Sequence, residues 1–187
     1  MSSELKQKIK AMTEGGKLIR DIKLELRDFS TLGRRFIEIE DRAQELIKKV
    51  GAKPSFSMEP GYKWALCINK NAGMVHGIPD EKIIEDGDLI SIDMGLVWEG
   101  YHVDTSVSFV VGTSTPEKND FLRAGEKALA KAIDQAWPGN SVYDISKAIE
   151  KTIKSFGYNP SFQLTGHGIG KKLHEQPLIP CITSRQD

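Results

Sequence analysis

Cysteine is scarce in this sequence, and its scarcity excludes one class of small protein. Cys67 and Cys181 are the two cysteines in 187 residues. Two are too few for the disulfide framework of a small secreted domain. The first ten residues are rich in charge and hold no apolar run that would indicate a secretory signal. We therefore expect a cytoplasmic protein whose thiols are reduced.

Long apolar runs and an excess of one charge are missing as well. The longest apolar stretches are about five residues, as at Trp64–Ile68, whereas a bilayer-spanning helix needs about 18. Lys plus Arg and Asp plus Glu number 26 each, so nothing favours nucleic acid or a membrane surface as a partner. With 39% hydrophobic and 28% charged residues, the composition is that of a soluble globular protein.

A short internal repeat indicates that the chain has two related halves. The segments IKKVGAKPSF (Ile47–Phe56) and IKSFGYNPSF (Ile153–Phe162) share Ile-Lys, Gly and Pro-Ser-Phe at an offset of 106 residues. Gly-x-x-Pro alone is a common way to end a helix, but that explains neither the Ile-Lys before it nor the Ser-Phe after it. We predict a structural duplication with halves of about 1–112 and 113–187.

Each half is expected to place two helices before its repeat segment. The first helix, Ser3–Phe29, is expected to be interrupted at Gly15-Gly16, and Thr115-Pro116 has the pattern of a helix start. Apolar residues recur at helical spacing in the second and fourth helices. The helices after the first are expected at about 33–50, 115–137 (ended by Pro138-Gly139) and 141–156.

The first half also predicts a β-hairpin that carries two aspartates. Alternating apolar residues at Leu89–Trp98 and Tyr101–Val111 flank Glu99-Gly100, the pattern of a two-residue turn. A symmetric turn there places Asp93 and Asp104 on one face as diagonal neighbours, with Cα atoms about 7–8 Å apart. A three-residue loop would shift this register.

Two carboxylates on a half-buried sheet face repel each other unless one is protonated or a cation lies between them. Asp93 and Asp104 could be solvated strand residues, an acid/base pair of a glycosidase, or metal ligands. A metal site would need further ligands, and His167, among glycines in GHGIG, is a candidate because those glycines allow tight folding around its imidazole.

Three motifs taken together resemble type I methionine aminopeptidases. They are the two aspartates ten residues apart, VHGIP at Val75–Pro79, and GHGIGKKLHEQP at Gly166–Pro177. The resemblance runs from about residue 11 to residue 180. It implies the α/β (α+β) pita-bread fold, in which two pseudo-symmetric helix-helix-strand halves share a sheet. This expectation agrees with the internal repeat.

The resemblance also implies roles for individual residues. Asp93, Asp104 and His167 resemble metal ligands, and His76 and His174 resemble the histidines that contact substrate. Without the family, His76 would fit better as a turn residue before Ile-Pro, and His174 as a polar strand residue. The family binds two divalent ions that activate water, and this ligand chemistry suits Mn, Fe, Co or Zn.

A methionine pocket is implied at Tyr62, Cys67 and Leu173. Core packing would explain the first two equally well, and Leu173 stands where the family commonly has an aromatic residue. The implied substrate is the N-terminus of a peptide or nascent protein, which suggests proximity to the ribosome.

Two further glutamate ligands of the family come from strands after GHGIG, and shifting Asp93 by the repeat offset of 106 leads beyond residue 187. We therefore expect one catalytic domain over 1–187 that is incomplete at its C-terminal end. It would hold one divalent ion and act slowly. The alternatives are an Xaa-Pro peptidase of the same fold and a non-catalytic module that binds a peptide or partner.

Overall fold

The chain divides into two compact units in a computed structural model that describes residues 1–183. The first unit comprises Met1–Ser114 together with Ile169–Leu173. The second comprises Thr115–Gly168 and the segment that begins at His174. Within the described range, no helix is both long and apolar enough to cross a membrane.

Two helices cover the sheet of the first unit. Helix α1 spans Ser3–Phe29 and helix α2 spans Phe36–Lys49. The predicted interruption of α1 at Gly15-Gly16 is wrong, because the helix is continuous there. A Cβ at Gly15 would lie 3.2 Å from Trp98 Cβ, so this glycine serves close packing of α1 on the hairpin and not a break.

The sheet of the first unit has four strands: β1 (Lys53–Pro54), β2 (Leu66–Lys70), β3 (Leu89–Trp98) and β4 (Tyr101–Val110). Strands β1 and β2 both pair with β3 along one side, and β4 pairs with β3 along the other, all antiparallel. The turn residues Glu99 and Gly100 have φ of 51° and 80°, as a two-residue turn of this type requires. The predicted hairpin is therefore confirmed.

An apolar core lies between the helices and one face of this sheet. The helices contribute their apolar stripes, and β3 contributes Ile90, Ile92 and Met94, all fully buried. Alternation along β3 therefore turns Asp93 to the opposite face. The core side is well filled, so the carboxylate face is the one available for chemistry.

The second unit pairs two helices with a two-stranded sheet. Helix α3 spans Pro116–Ile133, capped by Thr115, and α4 spans Val142–Ser155, capped by Ser141. Strands β5 (Thr165–Gly168) and β6 (Glu175–Pro180) are antiparallel. Helix α3 ends about one turn before the predicted end at Pro138-Gly139. The residues after Ile133 form turns, in which Asn140 Nδ2 donates to Gln135 O at 3.0 Å.

Candidate metal and substrate site

The two hairpin aspartates meet as their spacing predicts. Gly95 is the partner of Asp104 across the β3–β4 ladder, and Ser106 is the partner of Asp93. The carboxylates are diagonal neighbours on one face and are hydrogen-bonded to each other. Gly95, directly opposite Asp104, has no side chain of its own, and the space above it is taken by Ser55 and Phe56.

The electrostatics of this pair favour a proton or a cation between the oxygens. Burial, and then the charge and hydrogen bond of Asp104, raise the pKa of Asp93 to about 7. The backbone N–H of Met94 partly offsets this rise. Two adjacent carboxylates with so high an affinity for a proton are well suited to share a cation.

The two C-terminal histidines lie side by side in the second unit. Their ring centroids are 4.5 Å apart, and His167 Nδ1 is 2.9 Å from Gly168 O. His167 is the partner of Leu178 on β6, and a register shift follows it. A Cβ at Gly168 would lie 2.7 Å from the Gln176 carbonyl carbon, so glycine there allows the bulge that brings β6 close. Because the aspartates and these histidines belong to different units, their assembly into one site stays a prediction.

His76 lies in the loop between β2 and β3 with its side chain exposed. Its φ is 57°, an uncommon conformation for a residue other than glycine. The loop is anchored beside it, because Ile68 N–H donates to Gly77 O at 2.9 Å. An exposed imidazole on an anchored, strained loop suits contact with a ligand, and the role predicted for His76 stays a prediction.

The three residues predicted to line a methionine pocket gather in the first unit. Leu173 and Cys67 pack with Phe56 in a small buried cluster, against which Tyr62 and Ile169 also pack. We call these five residues the apolar pocket cluster. Cys67 is the partner of Asp93 across the β2–β3 ladder, so the cluster adjoins the carboxylate pair.

Hydrogen bonds fix the polar atoms of this cluster. Tyr62 OH donates to Leu66 O at 2.8 Å and is 3.2 Å from Cys67 Sγ. Because that hydroxyl proton is used on Leu66, the Cys67 thiol is the donor to Tyr62. Burial is the main cause that raises the pKa of both groups, and the charges of Asp93 and Asp104 add to the rise for Cys67. Both groups therefore stay protonated at neutral pH, and Cys67 is a poor nucleophile while it is buried in this cluster.

The sequence matches the model of Metallopeptidase family M24 over residues 10–186. The chain belongs to family M24. A methionine aminopeptidase of Aquifex aeolicus (strain VF5) is 39% identical over 150 residues, covering 76% of this chain and 58% of that protein. The chain therefore spans 58% of the length of this relative.

Solved structures identify the M24 fold of this chain. A methionine aminopeptidase from Thermotoga maritima matches with a TM-score of 0.92 at 34% identity, covering 95% of this chain and 72% of the other. A prolidase from Pyrococcus furiosus matches with a TM-score of 0.84 at 26% identity, covering 94% and 51%. The predicted pita-bread α/β fold is thereby confirmed, and the match to the aminopeptidase is the stronger one.

Membership of a metallopeptidase family implies the use of a divalent metal, and the carboxylate pair fits that chemistry. Oxygen donors of two acidic side chains suit first-row divalent ions. Across residues 1–183, no group of three or more His, Cys, Asp or Glu is arranged as a metal site. The role of Asp93 and Asp104 as metal ligands therefore stays a prediction.

One buried residue that supports the candidate site was missed by sequence reasoning. Glu40, on α2, is 1% exposed and accepts hydrogen bonds from Ala65 N at 2.7 Å and Leu66 N at 3.2 Å. Gln44 Nε2 donates to it at 2.6 Å. Glu40 therefore holds the start of β2, the strand that carries Cys67. Its position between Ile39 and Ala43, on the apolar face of α2, was the available signal.

Proposed function

We propose that this protein removes the N-terminal methionine from peptides and nascent proteins, using a divalent metal. The observation that carries the proposal is the half-buried, mutually hydrogen-bonded pair of Asp93 and Asp104 next to an apolar pocket cluster. The relatives from Aquifex aeolicus and Thermotoga maritima are named methionine aminopeptidases, and the proposal extends that activity to this chain.

Asp93, Asp104 and His167 would hold the metal. A divalent ion bound there supplies polarisation of the scissile carbonyl and lowers the pKa of water toward about 7. The ligand types suit Mn, Fe, Co or Zn. Two ions are implied for a full family site, and three ligands favour one for residues 1–187.

The remaining residues would bind and orient the substrate. His76 and His174 would donate hydrogen bonds to the substrate carbonyl region as its charge develops, and their imidazoles can also move a proton. Tyr62, Cys67 and Leu173 would surround the methionine side chain. A thioether makes favourable contacts with an aromatic ring and with other polarizable groups, so Tyr62 and Cys67 suit this side chain.

The setting of this activity follows from the same reasoning. We propose a cytoplasmic enzyme that works on nascent chains close to the ribosome, with no nucleic-acid or membrane partner. Residues 1–187 would act as one catalytic domain. The segment His76–Pro79 favours a methionine aminopeptidase over an Xaa-Pro peptidase, the second candidate suggested by the prolidase likeness.

The test compares substrates under identical metal supply. The chain is incubated with excess Mn²⁺ or Co²⁺ and either Met-Ala-Ser or Leu-Pro, and free amino acid is measured. We expect methionine release above the background of the Asp93→Asn/Asp104→Asn double variant, and slower release from Leu-Pro. Faster cleavage of Leu-Pro would favour the Xaa-Pro peptidase. No release of either amino acid above background would favour a non-catalytic module.

A further inference from the structure

His102 lies at a junction in the first unit that the proposed mechanism does not use. It is 7% exposed, on β4, and its Nδ1 is hydrogen-bonded to Ser55 Oγ at 2.5 Å. Ser55 is fully buried and lies 47 residues away in the sequence. A buried hydrogen bond between distant segments holds those segments in one arrangement, because leaving either partner unsatisfied is costly.

On one side of this junction, Ser55 places the Phe56 wall of the apolar pocket cluster. The Ser55 N–H donates to Gly95 O at 2.9 Å, so the segment is tied to β3 as well as to His102. A Cβ at Gly95 would lie 2.9 Å from Ser55 Cβ and from Phe56 Cε1. The glycine thus lets Ser55 and Phe56 lie directly on the strand.

On the other side of this junction, the backbone of His102 holds a second segment of the cluster. Its N–H donates to Gly170 O at 2.7 Å. That bond fixes the segment Ile169–Leu173, which contributes both of its terminal residues to the apolar pocket cluster. One residue of β4 therefore joins two segments of the cluster, because its side chain holds the segment with Phe56 and its main chain holds the segment with Leu173.

From this arrangement we infer that Ser55 and His102 are positioning residues that set the width of the apolar pocket cluster, and so its selectivity for an unbranched side chain. The inference rests on the proposed function only for the identity of the occupant, a methionine side chain. It requires no change of protonation at His102. It requires that His102 hold Phe56, through its imidazole and Ser55, at a fixed separation from Leu173, which is tied to the main-chain N–H of His102.

The accessibility of the Cys67 thiol measures the packing of the cluster and does not depend on enzyme activity. Cys67 belongs to the cluster and is 5% exposed. In a Cys181→Ser background, Cys67 is the single thiol, and its alkylation by iodoacetamide measures how often the cluster opens. Ser55→Ala should speed alkylation about fivefold to a hundredfold, the range that one lost buried hydrogen bond implies for local opening. His102→Gln should do the same, since its amide cannot occupy the Nδ1 position.

A conservative substitution of His102 distinguishes loss of the hydrogen bond to Ser55 from a general loss of fold stability. In His102→Asn the amide lies where Nδ1 was, so the bond to Ser55 and a slow alkylation rate should return. Ile22→Val is the matched control, because it removes one methylene from the main core of the same unit without touching the cluster. Its alkylation rate should stay near that of the parent.

Hydrolysis supplies the second readout. Ser55→Ala should raise KM for Met-Ala-Ser more than it lowers kcat. The ratio of kcat/KM for Met-Ala-Ser to kcat/KM for Leu-Ala-Ser should become smaller than in the parent. Equal alkylation rates in parent, Ser55→Ala and His102→Gln would overturn the inference, as would equal acceleration by Ile22→Val.

Added L-methionine should slow alkylation in the parent. Its failure to do so, with the variant rates as expected, would count against the proposed function and leave the positioning role standing.

Discussion

Glu40→Gln tests how much a buried carboxylate contributes to the platform beneath the site. The carboxylate accepts from Ala65 N and Gln44 Nε2 on one oxygen and from Leu66 N on the other. An amide can keep one oxygen as an acceptor, so its NH₂ group must face at least one of these N–H donors. One buried donor is then unsatisfied, which costs about 1–3 kcal/mol.

Glu40→Ala should be worse. It removes the acceptor for two backbone N–H groups and one side-chain amide, and it leaves a cavity, for about 3–5 kcal/mol in all. That is a large part of a typical stability of about 5–15 kcal/mol. Urea denaturation followed by tryptophan fluorescence measures both variants, with Glu45→Gln on the exposed side of the same helix as the control.

The pH dependence sharpens this prediction. Burial is the largest cause that raises the pKa of Glu40 above its ordinary value, and the hydrogen bonds only partly offset it. A carboxyl whose folded-state pKa is raised stabilises the fold most below the unfolded pKa, and this contribution falls as pH rises through the folded pKa. The stability lost in Glu40→Gln should therefore shrink as pH rises from about 4.5. A loss that grows with pH, or one equal to that of Glu45→Gln, would refute the reasoning.

Four further substitutions test the packing and charge of both units. Gly95→Ala should destabilise by about 1–3 kcal/mol in urea denaturation, because its Cβ would lie 2.9 Å from Phe56 Cε1; unchanged stability would contradict this. A Cβ at Gly16 would have no atom within 4 Å, so Gly16→Ala should stabilise α1 by about 0.5–1 kcal/mol. Gly15→Ala should add less stability, because the hairpin crowds that position. Equal stabilisation by the two substitutions would contradict this. Hydrogen bonds from Lys154 and Thr183 lower the pKa of Glu150 to about 2. Glu150→Gln should therefore reduce the free energy of unfolding above pH 4.5, and this loss should disappear as pH falls toward 2. A loss independent of pH would argue against the ion pair with Lys154.

Local turn chemistry explains why the hairpin could be predicted. Glu99-Gly100 leaves few alternatives to a two-residue turn, and the period of two along each strand then fixes which side chains share a face. The convergence of Asp93 and Asp104 followed from that register. The N-caps Thr115 and Ser141 were predictable for a similar reason, since a side-chain acceptor before an apolar run is a local signal.

Features that depend on tertiary packing were not predictable in this way. Gly15 reads locally as a helix breaker, yet contact with the hairpin makes it a packing residue. Glu40 and the bond between Ser55 and His102 join segments that are distant in the sequence, and no local pattern couples them. Propensity and periodicity describe neighbours along the chain, whereas these contacts are settled by the sheet that brings the segments together.

The most direct test of the central claim is Mn²⁺ binding, measured by calorimetric titration of the parent, Asp93→Asn, His167→Ala and His76→Ala. If Asp93, Asp104 and His167 form the metal site, Asp93→Asn and His167→Ala should lose Mn²⁺ binding. His76→Ala should retain it. His76→Ala is the matched control because it removes an imidazole assigned to substrate. Binding by His167→Ala as strong as that of the parent, or equal loss in His76→Ala, would contradict the account.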